Sequence, residues 1–334
     1  MRTHKQILII LGWNFLILLV LISVVDIGAR LFIRGRSYIP FDDPELFVSN
    51  RPCIIDHQTR GFALQPNFSG ASVRINSDGF RGSELPATFQ SMYRVLVIGE
   101  STTFGWKVGD NDTYPHQLQT YLHRAGADSV CVVNAGVPSY TSLQALICVR
   151  ELLPRIKPHL VIVNVMWNDI WYSSHDFWFP EMLVLRRPSA WRRFLLRHSG
   201  LYLALSLRAG SGDEGDAFNR DALDFYGKNL ELMVMECRKH EVKPVLLHSP
   251  FDSSVAHAVG KAYFASPFLK TSMERYVRSA RDVAGKHGIP FIETRLSGSH
   301  VNRSDLFMDP IHPTAAGNRL IAEDLGKYIL GHVL

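Results

Sequence analysis

Arg94-Val-Leu-Val-Ile-Gly-Glu-Ser-Thr-Thr103 is the stretch that decides the architecture. An apolar run that stops on a glycine and hands over to Glu100-Ser101-Thr102-Thr103 reads as a buried strand turning sharply into a helix. The same kind of run returns at Ser129–Asn134 (SVCVVN), His159–Val165 (HLVIVNV), Pro244–His248 (PVLLH) and, shortened, at Ile289–Ile292. Helix-like stretches lie between them: Tyr114–Ala125, Ser142–Leu153 (ended by Pro154), Asp221–His240, Lys270–His287 and a closing Ala315–Leu330. Apolar strands of this length alternating with amphipathic helices predict an α/β fold of three layers, with a mostly parallel sheet covered on both faces. Such sheets bind ligands beyond the carboxyl ends of their strands, where the connecting loops converge.

The surrounding composition agrees with a folded chain. Of 334 residues 46% are hydrophobic and 20% charged, which excludes a wholly disordered or collagen-like protein. The formal net charge of +5 is uneven. Residues 1–36 hold Arg2, Lys5, Arg30, Arg34 and Arg36 against the single acid Asp26, so the rest of the chain is nearly neutral. A globally basic nucleic-acid binder is therefore disfavoured.

From Gln6 to Val25 run 20 residues without a charge, mostly Ile, Leu and Val. At 1.5 Å per residue this spans roughly 30 Å, the bilayer core. A cleaved signal peptide is the competing reading. The run exceeds the usual ~7–15-residue apolar core of such peptides and no A-x-A cleavage site follows, so an uncleaved anchor is expected. Basic residues flank both ends in similar number, so charge does not set the orientation. The expected organisation is a tail and transmembrane anchor over 1–36, an extended flap over 37–92, and the strand–helix domain over 93–334.

Residues 173–220 interrupt the strand–helix rhythm. Between Met182 and Arg208 lie six Arg and no acid, interleaved with Trp191, Phe194 and Tyr202. A helical insertion with a solvated Arg face is the plainer reading, and a basic amphipathic segment resting on anionic lipid is the sharper one. Gly210-Ser-Gly-Asp-Glu-Gly215 matches G-x-G-x-x-G by letter but follows no strand, so it reads as a linker. The four cysteines lack C-x-x-C spacing and read as buried thiols.

Chemistry-bearing residues sit at four predicted strand ends or helix starts. Ser101 follows the first strand, where a sharp turn exposes a hydroxyl, although a serine there is also an ordinary helix cap. Gly136 follows the second, where a backbone N–H can approach a substrate or simply make a turn. Asn168 follows the third, with a side-chain amide able to face an oxyanion. His312 precedes the last helix. Of the 14 histidines it alone has an acid, Asp309, three residues earlier, a carboxylate that can hold the imidazole in the tautomer that takes a proton. Each element alone is weak, and their order along the chain gives the set its weight.

Taken together, Gly99-Glu-Ser101, Gly136, Trp167-Asn168-Asp169 and Asp309-Pro-Ile-His312 resemble the SGNH hydrolases, the GDSL family of esterases and acyltransferases. The resemblance covers residues 93–330. Arg74–Arg81, Phe104-Gly-Trp106 and Thr113-Tyr-Pro115 resemble a membrane-anchored bacterial branch of it. Two positions depart from the pattern: Glu100 stands where Asp is usual, and Met166 where Gly is usual. No role in catalysis is expected of Glu100. The resemblance implies a flavodoxin-like three-layer fold and a triad of Ser101, His312 and Asp309. It further implies an oxyanion hole from the Ser101 and Gly136 N–H groups and the Asn168 amide, with no metal or organic cofactor.

The implied activity is ester hydrolysis on an O-acyl group, either an acetyl on an envelope glycan or a lipid ester. The implied location of the globular part is outside the cytoplasm, in the periplasm, tethered through residues 6–25. An acyltransferase would use the same residues. A third possibility is a non-enzymatic subunit that kept the fold and docks membrane-protein partners.

Overall fold

The computed structural model describes residues 2–34, 53–173, 199, 201, 219–252, 267–297 and 305–334. The Arg-rich segment, its aromatics Trp191 and Phe194, and the Gly210–Gly215 stretch fall outside the described residues, apart from Ser199 and Leu201. The chain divides into two units. One holds residues 1–39 and 187–214, and the other residues 40–186 and 215–334.

In the first unit α1 (Arg2–Arg34) is a single helix. Ile9–Ala29 within it is long and apolar enough to cross a membrane, with a mean hydropathy of 2.4 and none of it buried. The one acid of the span is not left bare. Asp26 Oδ1 accepts the Ser199 hydroxyl at 2.7 Å and the Leu201 N–H at 3.0 Å.

The second unit is a parallel five-stranded sheet in the order β4-β3-β5-β6-β7. The strands are β3 (Tyr93–Gly99), β4 (Val130–Gly136), β5 (Leu160–Asn164), β6 (Lys243–Leu247) and β7 (Phe291–Ile292). All four pairings are parallel, as the apolar runs predict. β3 lies between β4 and β5, and its Gly99 is in register with Gly136 on one side and Asn164 on the other, so all three strands end at one level. Inward residues of β3 alternate between two cores. Leu96 and Ile98 join one apolar cluster, and Val95 and Val97 the other. Burial of both faces is why these strands are unbroken apolar runs.

The connecting helices are α2 (Ser101–Phe104), α3 (Tyr114–Arg124), α4 (Ser142–Ile156), α5 (Trp167–Ser173), α6 (Arg220–Lys239), α7 (Pro267–His287) and α8 (Ala315–His332). α4 runs past Pro154, where the sequence predicts its end, and stops two residues later with Lys157 at a φ of 47°. A proline in the final turn forfeits only one backbone bond, and the apolar face of α4 continues through Ile156.

Residues 53–92 do more than lead into the sheet. A short hairpin pairs β1 (Ile54–His57) with β2 (Gly61–Leu64) in antiparallel register. Cys53, Leu64, Phe68, Ile75, Phe80 and Phe89 are buried in the same core as α4 and α6. All four cysteines are buried free thiols.

Candidate active site

The turn from β3 into α2 is built by close packing. At Gly99 a Cβ would lie 2.0 Å from Thr103 Oγ1 and 2.6 Å from the Asn164 carbonyl, so only glycine lets α2 fold back this tightly onto β5. Thr103 is in turn tied to the Tyr114 hydroxyl at 2.7 Å. This fixes Ser101 at the first position of α2, where its backbone N–H has no intrahelical acceptor.

Ser101 Oγ lies 2.8 Å from His312 Nε2, and His312 Nδ1 lies 2.7 Å from Asp309 Oδ2. With Nδ1–H donating to Asp309, Nε2 is left to accept the serine proton, a tautomer assigned from the hydrogen bonds. Asp309 Oδ1 also accepts the backbone N–H groups of Ile311 at 3.1 Å and His312 at 2.9 Å. Burial alone would raise the Asp309 pKa, but the His312 imidazole and these two N–H groups outweigh it and hold the carboxyl below its ordinary value. Trp106 stands over the imidazole with ring centroids 6.2 Å apart. The structure thus brings Ser101 to the His312–Asp309 pair, 211 residues from His312 along the chain.

The expected oxyanion donors are arranged differently. Gly136 donates its N–H to Asn134 Oδ1 at 3.0 Å. A Cβ on it would sit 2.3 Å from the Phe104 nitrogen, so this glycine serves the packing of β4 against α2. Three residues on, Ser139 is buried at a φ of 64°, and its N–H has no acceptor among the described residues. Asn168 donates from Nδ2 to the Tyr140 carbonyl at 2.9 Å and to Glu100 Oε2 at 2.7 Å.

Glu100, to which the sequence assigns nothing, is fully buried. Its Oε1 accepts the Trp167 N–H at 3.0 Å and its Oε2 the Asn168 N–H at 3.0 Å, besides the Asn168 amide. Burial pushes this carboxyl up to about 8, with the Asn168 and Trp167 N–H groups pulling the other way and the Asp169 charge adding to the rise. Asp169 is raised to about 7 by burial, against the Ser142 hydroxyl and N–H that it accepts at 2.5 and 2.9 Å.

The loop after α2 is held from the N-terminal side. Arg81, whose side chain is 1% exposed, donates to the carbonyls of Phe104, Gly105 and Val108 at 2.7, 2.6 and 2.6 Å and to Asp110 at 3.1 Å. It also lies 4.4 Å over the Phe104 ring. Among the described residues no cluster of three or more His, Cys, Asp or Glu is placed to hold a metal ion.

The model of the GDSL-like lipase/acylhydrolase family matches residues 97–320. Solved structures similar to the chain include TesA, at 20% identity over 71% of this chain and 97% of that one, with a TM-score of 0.47. The psychrotrophic esterase EstA from Pseudoalteromonas sp. is 15% identical over 72% and 97%, and the acetyl xylan esterase AlAXEase 16% identical over 71% and 99%, both at 0.47. No curated protein matches the sequence.

Proposed function

Because the chain belongs to the GDSL-like lipase/acylhydrolase family, and is thereby an ester-hydrolysing enzyme, we propose that it cleaves an O-acyl ester with Ser101, His312 and Asp309 as its triad. The observation that carries this is the unbroken line from Ser101 Oγ through His312 to Asp309 Oδ2, with bonds of 2.8 and 2.7 Å. Ser101 Oγ attacks the ester carbonyl while its proton passes to His312 Nε2. Collapse of the tetrahedral intermediate breaks the bond to the alkoxy group, which leaves with that proton. Water then gives a proton to His312 as it attacks the acyl-serine, and His312 returns that proton to Ser101 Oγ as the carboxylic acid leaves.

The charge on the intermediate falls to backbone and amide donors. The Ser101 N–H and the Asn168 amide serve in this reading. The N–H of the left-handed Ser139 takes the place expected for that of Gly136, which is spent on Asn134. Each such donor typically contributes ~2.7–4 kcal/mol of transition-state stabilisation.

The substrate class is an acylated envelope component, an O-acetyl glycan or a lipid ester, reached by a catalytic unit tethered through α1 outside the cytoplasm. The support is the 21-residue apolar span Ile9–Ala29 inside a 33-residue helix, longer than the apolar core of a cleaved leader. The division at residue 36 follows from this reading as the end of the tether. A fluorophosphonate probe tests the whole: it should label the full chain in detergent and fail to label Ser101→Ala. Labelling of the variant, or its full turnover of a short aryl ester, rejects the assignment.

A further inference from the structure

Asn168 is short of hydrogens in the resting site. An amide nitrogen carries two. One is spent on Glu100 Oε2 and the other on the Tyr140 carbonyl. An oxyanion forming on Ser101 therefore meets no free amide N–H, and one of the two bonds has to be exchanged.

The two partners are unequal. The Glu100 contact is the shorter, 2.7 against 2.9 Å. Glu100 is also gripped by the backbone N–H groups of Trp167 and Asn168 and directly precedes the nucleophile in the chain. Tyr140 offers a single neutral carbonyl on the turn that follows Ser139. The bond to Tyr140 is the one that yields.

We propose that Glu100 is the positioning residue of the oxyanion site: it keeps one Asn168 amide hydrogen and fixes the 167–168 backbone, so that the other hydrogen moves from the Tyr140 carbonyl to the oxyanion. This rests on reading Asn168 as an oxyanion donor. Glu100 touches no substrate atom and acts through Asn168. Its side-chain length matters, because an aspartate would draw the carboxyl back by about 1.5 Å, one carbon–carbon bond. A glutamine fails otherwise. Whichever way its amide is turned, an NH2 group meets either the Trp167 N–H or the two Asn168 donors.

The test is a double-mutant cycle on the full chain in detergent, with kcat and KM measured separately on p-nitrophenyl acetate. Glu100→Gln should lower kcat by about 10- to 100-fold with KM changed less than about threefold. Asn168→Ala should lower kcat by about 10²-fold or more. The double variant should be within about threefold of Asn168→Ala, because Glu100 has nothing left to position. Glu100→Asp, which keeps a carboxylate, should retain more kcat than Glu100→Gln, a difference that loss of stability alone would not produce. Wild-type kcat in Glu100→Gln, a loss carried by KM, or additive losses in the double variant would overturn the proposal. Full kcat in Asn168→Ala would instead sink the oxyanion reading itself. Should Glu100→Gln not fold, the cycle is run with Glu100→Asp, where additivity is equally fatal.

Discussion

Asp309 grips His312 twice. One carboxylate oxygen takes the ring Nδ1–H at 2.7 Å, and the other takes the backbone N–H of the same residue at 2.9 Å. The three-residue spacing closes a small ring that fixes both where the imidazole sits and which nitrogen faces Ser101. Asp309→Asn keeps the size of the side chain but offers an NH2 group to one of these donors. Turnover of an aryl ester should fall by about 10²–10⁴ in kcat with little change in KM. A variant within tenfold of wild type would show that His312 needs no orienting carboxylate.

Gly136 makes a different claim on the site. Its missing Cβ leaves room for the Phe104 nitrogen, which a methyl group would approach to 2.3 Å. Gly136→Ala should destabilise the fold by about 1–3 kcal/mol by overpacking and displace α2, lowering kcat as well. Thermal unfolding and kinetics on the same preparation check this. A variant of unchanged stability would mean that β4 and α2 separate easily.

A buried acid gives stability a pH dependence of definite sign. Asp169 is raised by burial to about 7. The unfolded chain ionises it at an ordinary carboxyl value, whereas the folded one keeps its proton. Its stabilising contribution is complete below the unfolded value and is lost as pH rises through the folded one. Asp309, lowered in the folded state, acts oppositely and loses its contribution only in more acid solution. The unfolding midpoint should therefore decline from about pH 4 to about pH 7 and then level, and Asp169→Asn should flatten that slope. A midpoint that climbs over this range would contradict the burial of this carboxyl.

Arg81 binds the N-terminal segment to the chemistry. Its guanidinium holds three carbonyls of the loop that carries Trp106 and pairs with Asp110. Arg81→Ala takes the guanidinium from three carbonyls and leaves Asp110 with Arg74, at a cost of about 2–5 kcal/mol. Arg81→Lys should recover only part of it, since one ammonium cannot span the fork. Urea unfolding of both variants gives the comparison, and equal stability of wild type and Arg81→Ala would refute it.

Tethering through α1 predicts that the full chain sediments with membranes and is released by detergent but not by high salt, while a chain begun at residue 40 stays in the supernatant. A mature protein whose first residue lies beyond Ala29 would show that α1 is removed as a leader.

Much of this was legible in the chain because the strands of a sheet covered on both faces must be apolar throughout. Runs such as RVLVIG and HLVIVNV leave no other reading. Ser101, Asn168, Asp309 and His312 stand out because polar side chains at strand ends or beside a helix start have no packing reason to be there. Glu100 was opaque for a physical reason: its three donors come from residues 67 and 68 positions later, and no local pattern encodes a contact of that span. Gly136 was ambiguous by its letter, since a glycine that makes room for a helix and one that offers its N–H look alike in sequence. Residues 53–92 read as a flap because their short, irregular runs hide buried Phe68, Phe80 and Arg81.

Ser101 and His312 are 211 residues apart along the chain. Ribosomes add about 5–20 residues per second, so Ser101 is made some 10–40 s before His312. Throughout that interval β3, β4, β5 and β6 can assemble around a serine that is chemically ordinary. On the proposed triad, acyl transfer waits for the segment that carries Asp309 and His312. A chain still under synthesis carries the serine without the imidazole that would activate it.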